Sequence, residues 1–268
     1  SIIGWLMQDS NKLSLEAMRS DSMVFSLIES LIEVKSIEPV VTYICDNPCV
    51  VKTDDFDAYY KTRSKKLRQE LRTTENNLKR MGEYIFIEEI QGNSYENFLD
   101  KLADFHLERQ EVKMGGSIFA DMNVLKFFKE APKYLNTSSC QLHMSAILLN
   151  GRIISAALSI KSNDNLYYWI PSFDKDIPKV SLGKLHIKLL IEKCHSQNLA
   201  FDFMGGDEKY KYQWANMSVG ISSFIFFKSS FRKFLYENKL YLRQQLKQNF
   251  RGNRVIKKAR ITFSKFYS

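Results

Sequence analysis

From residue 82 onward the spacing of apolar side chains switches between two periods, and the switches predict the elements. EYIFIEEI (83–90) alternates apolar and polar positions, as a half-buried strand does. Residues 95–109 place Phe98, Leu99, Leu102 and Phe105 on one helical face, with Ser94 as the expected cap. Residues 121–134 predict a second helix. HMSAILLNGRIISAALSIK gives two β-rich runs joined by Asn150-Gly151, a pair that tolerates the positive φ of a tight hairpin turn. NLYYWIPSF (165–173) predicts a third strand, and SLGKLHIKLLIEKCH (181–195) a helix opening on Ser181 and Gly183. LAFDFMGG (199–206) reads as a strand, DEKYKYQWAN (207–216) as a short helix, and ISSFIFFK (221–228) as a closing strand. The order is β, α, α, β, β, β, α, β, α, β.

Upstream the pattern is less regular. Residues 13–32 have helical texture, and VVTYIC (40–45) predicts a strand. A basic helix follows over 53–82. Leu67, Leu71, Thr74, Leu78 and Met81 fall on one stripe, Lys61, Lys65, Arg68, Arg72 and Lys79 on another, and Gly82 is placed to close it. The basic stripe is either a solvated face or a groove wall that meets phosphate or acid.

This order predicts an α+β protein with a mixed, mostly antiparallel sheet. One helical crossover, 181–195, joins two parallel strands whose ends splay apart. Ligands favour the crevice beyond the carboxyl ends of such strands. The helix opening near Ser181 aims free N–H groups and its positive dipole end at that crevice, a place suited to phosphate. The candidate site therefore gathers the 172–184 loop and the stretch FDFMGGDEKYKYQWAN, residues 201–216.

Composition changes the picture in two respects. The net charge is +9, but residues 228–268 hold twelve Lys/Arg against one acid, a local +11, which leaves −2 on the preceding residues. A basic tail on a near-neutral body argues against the whole chain being a nucleic-acid binder. Cys45, Cys49, Cys140 and Cys194 are sparse, and CDNPC lacks a second Cys/His pair at zinc spacing, so free thiols in a reducing cytoplasm and no metal are expected. No apolar run reaches the length of a membrane span, and no charged leader precedes an apolar core, so no signal peptide is expected.

Five stretches stand in one order: RSKKLRQELRTTENNLKRMG, FLDKLADFHLERQ with its His-x-x-Arg, LLNGRIISAALS, YYWIPSFDKDIPKVSLGKLHIK and FDFMGGDEKYKYQWAN. Together they resemble the GNAT acyltransferase superfamily, and more narrowly its BioF2-like, CelD (BcsL)-type acetyltransferase domains, relatives of the FemAB peptidoglycan-bridge aminoacyltransferases. The resemblance covers about residues 40–228 and implies the GNAT fold and transfer of an acyl group to an amine. It divides the chain into 1–52, the end of a preceding GNAT-like half; 53–82, a basic connecting helix; 83–228, the catalytic domain; and 229–268, a basic amphipathic tail. It implies acyl-CoA, acetyl-CoA first, as the donor, with Lys179, Val180, Ser181, Leu182, Gly183 and Lys184 as the loop that receives its pyrophosphate. This loop departs from the superfamily's Gln/Arg-x-x-Gly-x-Gly/Ala pattern at Val180 and Leu185. Fem-type relatives use aminoacyl-tRNA, so a tRNA is the alternative donor.

The resemblance also places Lys211, of a Tyr-Lys pair, on the developing negative charge, and gives Tyr210 or Tyr212 the proton for the leaving thiolate. His106 and Arg109 lie one helical turn apart. His106 is a candidate base and Arg109 a candidate clamp for an acceptor carboxylate or phosphate. Tyr168 and Trp169 are candidates for an acceptor pocket, with Asp174, Asp207 and Glu208 as further substrate-binding candidates. Asp207 and Glu208 equally suit a helix cap. The expected acceptor is a small-molecule amine on a sugar nucleotide or a cell-envelope or polysaccharide precursor. His143, His186 and His195 read as structural. In the tail, Phe231, Leu235, Leu242, Leu246 and Phe250 form an apolar stripe that either packs on the body or rests on an anionic membrane. The implied location is the cytoplasm or the inner face of the membrane. A reading from another class is a non-catalytic module that docks on membrane or nucleic acid.

Overall fold

The computed structural model describes residues 10–34, 38–52, 55–110, 116–137, 139–162 and 164–250. In chain order the first elements are β1 (Lys12–Arg19), α1 (Met23–Glu33), β2 (Val40–Val50), α2 (Phe56–Lys61), α3 (Lys65–Met81), β3 (Tyr84–Ile87) and α4 (Tyr95–Gln110). There follow α5 (Met122–Glu130), α6 (Pro132–Leu135), β4 (Cys140–Leu149), β5 (Arg152–Ser162), β6 (Asn165–Phe173), α7 (Leu182–Ser196), β7 (Ala200–Asp202), β8 (Met217–Phe227) and α8 (Ser230–Phe250). The chain forms two compact units, residues 45–219 and residues 1–44 with 220–268.

In the smaller unit β1 pairs antiparallel with β8, from Lys12↔Phe227 to Arg19↔Ile221. Ile28 of α1 packs with Phe224 and Phe226 of β8. The helical texture of 13–32 therefore splits. Its first part is a strand because β8, some two hundred residues away, supplies the ladder, and helix begins only after Ser22, whose side chain caps Phe25 N. On α8, Phe231 and Leu235 stand exposed. Leu246 and Phe250, from the same stripe, and the residues beyond 250 lie outside the described side chains. No helix among the described residues is long and apolar enough to cross a membrane.

In the larger unit the strand order is β2-β7-β6-β5-β4-β3. The end of β2 pairs antiparallel with β7, and β6-β5, β5-β4 and β4-β3 are antiparallel. Only β6 and β7 run parallel, joined by the α7 crossover. This is the mostly antiparallel α+β sheet with one parallel pair that the pattern predicts. Asn150 (φ 50) and Gly151 (φ 77) form the turn between β4 and β5. Leu67, Leu71 and Leu78 of α3 pack with Leu185, Leu190 and Ile191 of α7 in one core, which also holds Phe201 and Trp214. Leu99 and Leu102 of α4 pack with Phe128, Met144 and Leu158 in a second. The apolar stripe of α3 is buried as its spacing predicts, except for exposed Met81.

Several boundaries differ from expectation. The basic helix expected over 53–82 is two helices, α2 and α3, because Ser64 starts the second by capping Leu67 N. The helix expected over 121–134 restarts at Pro132, whose nitrogen has no hydrogen to give an α-helical ladder. The strand expected over 199–206 ends at Asp202, because Phe203 N and Gly206 N bond to Pro48 and Asp46 carbonyls instead. The helix expected over 207–216 is only a 3-10 turn, Lys211–Gln213, since tertiary bonds hold this stretch.

Candidate active site

Register explains where the cleft opens. β6 and β7 are paired from Asn165↔Ala200 to Tyr167↔Asp202. Past that point β6 stays on β5 as far as Phe173, while the other chain bends toward β2. The buried carboxylate of Asp202 fixes the bend: it accepts from Met204 N (2.6 Å), at a residue with φ 59, and from Asn47 Nδ2 (2.9 Å). A cleft of about 810 Å³ fills the gap, bounded by α4, β6, the start of α7 and residues 203–211.

Several residues named from sequence meet in this cleft: His106, Arg109, Tyr168, Trp169, Glu208, Tyr210 and Lys211, with Val180 to Lys184 along one wall. Others lie apart. Tyr212 is exposed and, like Lys179, Asp174 and Asp207, is not among the lining residues. Asp174 is buried against Arg152 (2.5 Å) and caps Asp176 N, both contacts within its own loop region and the neighbouring strand. Lys179 takes φ 57, and its carbonyl accepts from Asn77 Nδ2 (2.9 Å).

Lys211 is 4% exposed, and its ammonium has three acceptors: Gly205 O (3.0 Å), Met204 O (3.3 Å) and Glu208 Oε2 (2.8 Å). Those bonds explain why 204–211 curls into a loop rather than continuing as helix. Gly206 is required at the centre, with φ 133, where an added Cβ would lie 2.4 Å from Glu208 Oε2 and 3.0 Å from Lys211 Nζ. Burial, the largest single cause, raises the Glu208 carboxyl pKa, but the bond and charge of Lys211 and a backbone N–H together outweigh it, and the net shift is downward.

His106 Nδ1 lies 2.7 Å from Ser117 Oγ, and its ring meets the edge of Phe119. Burial, aided by the Arg109 charge, lowers its pKa below the ordinary histidine value, so the imidazole is neutral near pH 7. The Arg109 guanidinium stacks 4.2 Å over the Phe173 ring. Burial pushes the Tyr168 and Tyr210 phenols up, keeping both protonated.

The chain from Lys65 to Tyr212, more than half of its length, matches the family described as Acetyltransferase (GNAT) domain. The chain belongs to the GNAT acetyltransferase family. No curated protein shows significant sequence similarity to it. Solved structures share the fold. A conserved protein of unknown function from Bacteroides thetaiotaomicron VPI-5482 is 11% identical with a TM-score of 0.59, over 84% of this chain and 74% of that one. FemX is 9% identical with a TM-score of 0.56, over 83% and 73%. L-PGS from Bacillus licheniformis is 14% identical with a TM-score of 0.54, over 86% and 72%.

Within this GNAT domain the start of α7 is answered in part by the chain itself. Ser181 N donates to Thr74 Oγ1 (3.1 Å), Ser181 Oγ to Glu70 Oε1 (2.5 Å) and Lys184 Nζ to Glu70 Oε2 (2.7 Å). Burial raises the Glu70 pKa, yet the bonds from Lys184 and Ser181 bring it below the ordinary glutamate value, so the helix end faces a carboxylate ion. A phosphate approaching this helix end would compete with the Glu70 carboxylate for Ser181 Oγ and Lys184 Nζ.

Sequence reasoning did not single out Glu70, Asp202 or Ser155. Glu70 and Glu75 are acids in a basic helix, five residues apart, and they meet Lys184 and Lys188 of α7. That charge complement was visible in the sequence, though its pairing was not. Ser155 lines the cleft and bonds His186 Nδ1 (2.8 Å), while Ser145 takes Nε2 (2.9 Å). Burial lowers the His186 pKa to about 3, so it is a neutral core residue in keeping with its structural reading.

Proposed function

We propose that this chain transfers an acyl group, acetyl first, to the amino group of a sugar nucleotide or cell-envelope precursor by direct attack. The observation that carries this reading is the convergence of His106, Tyr210 and Lys211 on one cleft at the splayed strand ends of a GNAT domain. The amine nitrogen bonds to the donor carbonyl carbon, and the bond from that carbon to the leaving atom breaks. His106 takes the amine proton through its second nitrogen, which is free of hydrogen bonds among the described residues. Tyr210 gives its proton to the leaving atom. Lys211 places positive charge near the developing oxyanion, and Glu208, with a side chain 58% exposed, is the partner able to swing away.

GNAT membership supports acyl-CoA as the donor. A second reading, transfer from aminoacyl-tRNA as the Fem resemblance implies, is favoured by Glu70 at the start of α7. Incubating the purified chain with a panel of acyl-CoAs, or with charged tRNAs, plus amino-sugar nucleotides, and weighing the products by mass spectrometry tests both. Acylated product from acyl-CoA supports the first donor and from charged tRNA the second. No acylated amine from any pairing removes the acyl-transfer reading.

The pH profile follows from the same assignment. The base works deprotonated, and burial and Arg109 both lower the His106 pKa. The acid limb of kcat/KM is therefore expected below pH 6.5, and His106→Gln is expected to remove it. A limb that persists unchanged in that variant excludes His106 as the base.

A further inference from the structure

Most charges that line the cleft are answered within the protein: Lys184 by Glu70, and Lys211 by Glu208 and two carbonyls. Arg109 is not. It is half-buried and stacked on Phe173, and no carboxylate or carbonyl among the described residues bonds its guanidinium. Tyr168 is 4% exposed and lines the same cleft, and its hydroxyl also makes no hydrogen bond among the described residues. The two side chains come from different elements, α4 and β6, and each perturbs the other's ionisation.

In the unliganded protein the Tyr168 hydroxyl and the half-buried Arg109 guanidinium open on the cleft and are left to solvent, so both are free to meet a ligand. A ligand oxyanion would engage both at once. The guanidinium offers parallel N–H donors to a carboxylate or phosphate, and the Phe173 face holds its plane. The phenol stays protonated and so remains a donor. The cleft also offers Trp169 as an apolar wall.

We propose that Arg109 and Tyr168 form a binding site for a carboxylate or phosphate carried by the acceptor substrate. The assignment rests on the acyl-transfer reading only in naming the acceptor as the bearer of the anion. It leaves Tyr210 for the leaving atom and puts the acceptor's fixed charge on the α4 and β6 side of the cleft.

The test is an equilibrium titration of the full chain with inorganic phosphate and with acetate, followed by tryptophan fluorescence, ionic strength being held constant with chloride. Saturable binding of at least one anion is expected. Arg109→Gln should weaken it at least tenfold, and Tyr168→Phe by roughly ten- to a hundredfold, the range for a hydrogen bond to a charged group. Phosphate alone points to a phosphoester acceptor and acetate alone to a carboxylate. Tyr168→Phe keeps the ring and the packing, so it carries the test if Arg109→Gln does not fold. Failure of both anions to saturate the wild-type chain, or wild-type affinity in a folded variant, overturns the site. No donor and no turnover enter this titration, so its failure leaves acyl transfer standing, and an inactive donor panel leaves the titration meaningful.

Discussion

Lys211→Met is expected to lower kcat/KM by about 10²- to 10³-fold, the range seen when one donor to a developing oxyanion is removed. The substitution keeps the length and apolar stem of the side chain and deletes only the charged end. Met204 and Gly205 carbonyls and Glu208 lose a donor together. Stability should fall by about 1–3 kcal/mol, the usual cost of buried groups left without a partner. The Glu208 side chain can turn to water, which keeps the loss toward the lower end. Steady-state kinetics on the acylation reaction, with a thermal unfolding curve for the same preparation, measures both quantities. A folded Lys211→Met protein within threefold of wild-type kcat/KM would make Lys211 a staple for the 204–211 loop and nothing more. Wild-type function of that variant in cells would favour the non-catalytic docking role.

The largest effect on stability should come from Trp214→Ala. Trp214 is fully buried among Tyr59, Phe201 and Phe203, and the 3-10 turn carrying Lys211 ends on it. Truncation leaves a cavity in a core with few ways to close, at about 3–5 kcal/mol. For a chain of this size the unfolding midpoint should drop by on the order of 10 °C. Trp214→Phe should lose much less, because it keeps the ring and removes an indole N–H that has no partner among the described residues. The backbone is held independently, since Trp214 O accepts from Tyr59 Oη and Arg63 Nη1, both at 2.6 Å. Differential scanning calorimetry of the two variants separates packing from polarity. An alanine variant within about 1 kcal/mol of wild type contradicts the packing argument.

Both predictions concern residues that the sequence brought forward unequally. Lys211 stood in a recognisable Tyr-Lys pair, whereas Trp214 passed as an aromatic in an expected helix. Period-two and period-3.6 patterns were sufficient for the central hairpin, for α3 with its buried Leu67, Leu71 and Leu78, and for α7. In each the local apolar spacing and the final packing agree. They failed where partners are distant. Residues 12–19 are a strand because β8 pairs with them, and residues 207–216 are not a helix because Lys211 bonds back to the 204–205 carbonyls. A window of ten or fifteen residues does not contain either partner.

From β3 to β7 the sequence by itself determined the succession of strands and helices, the one parallel pair and hence the place where a cleft must open, since all three follow from local periodicity and connection length. Only the tertiary structure decided which polar groups in that cleft are already answered. Glu70 reaches the start of α7 from a helix more than a hundred residues earlier, and Glu208 and two carbonyls enclose Lys211. Among the described residues, Arg109 and Tyr168 are left without such partners. Hydrogen bonding is short-ranged and depends on where side-chain tips meet in space, so no spacing along the chain could have shown it.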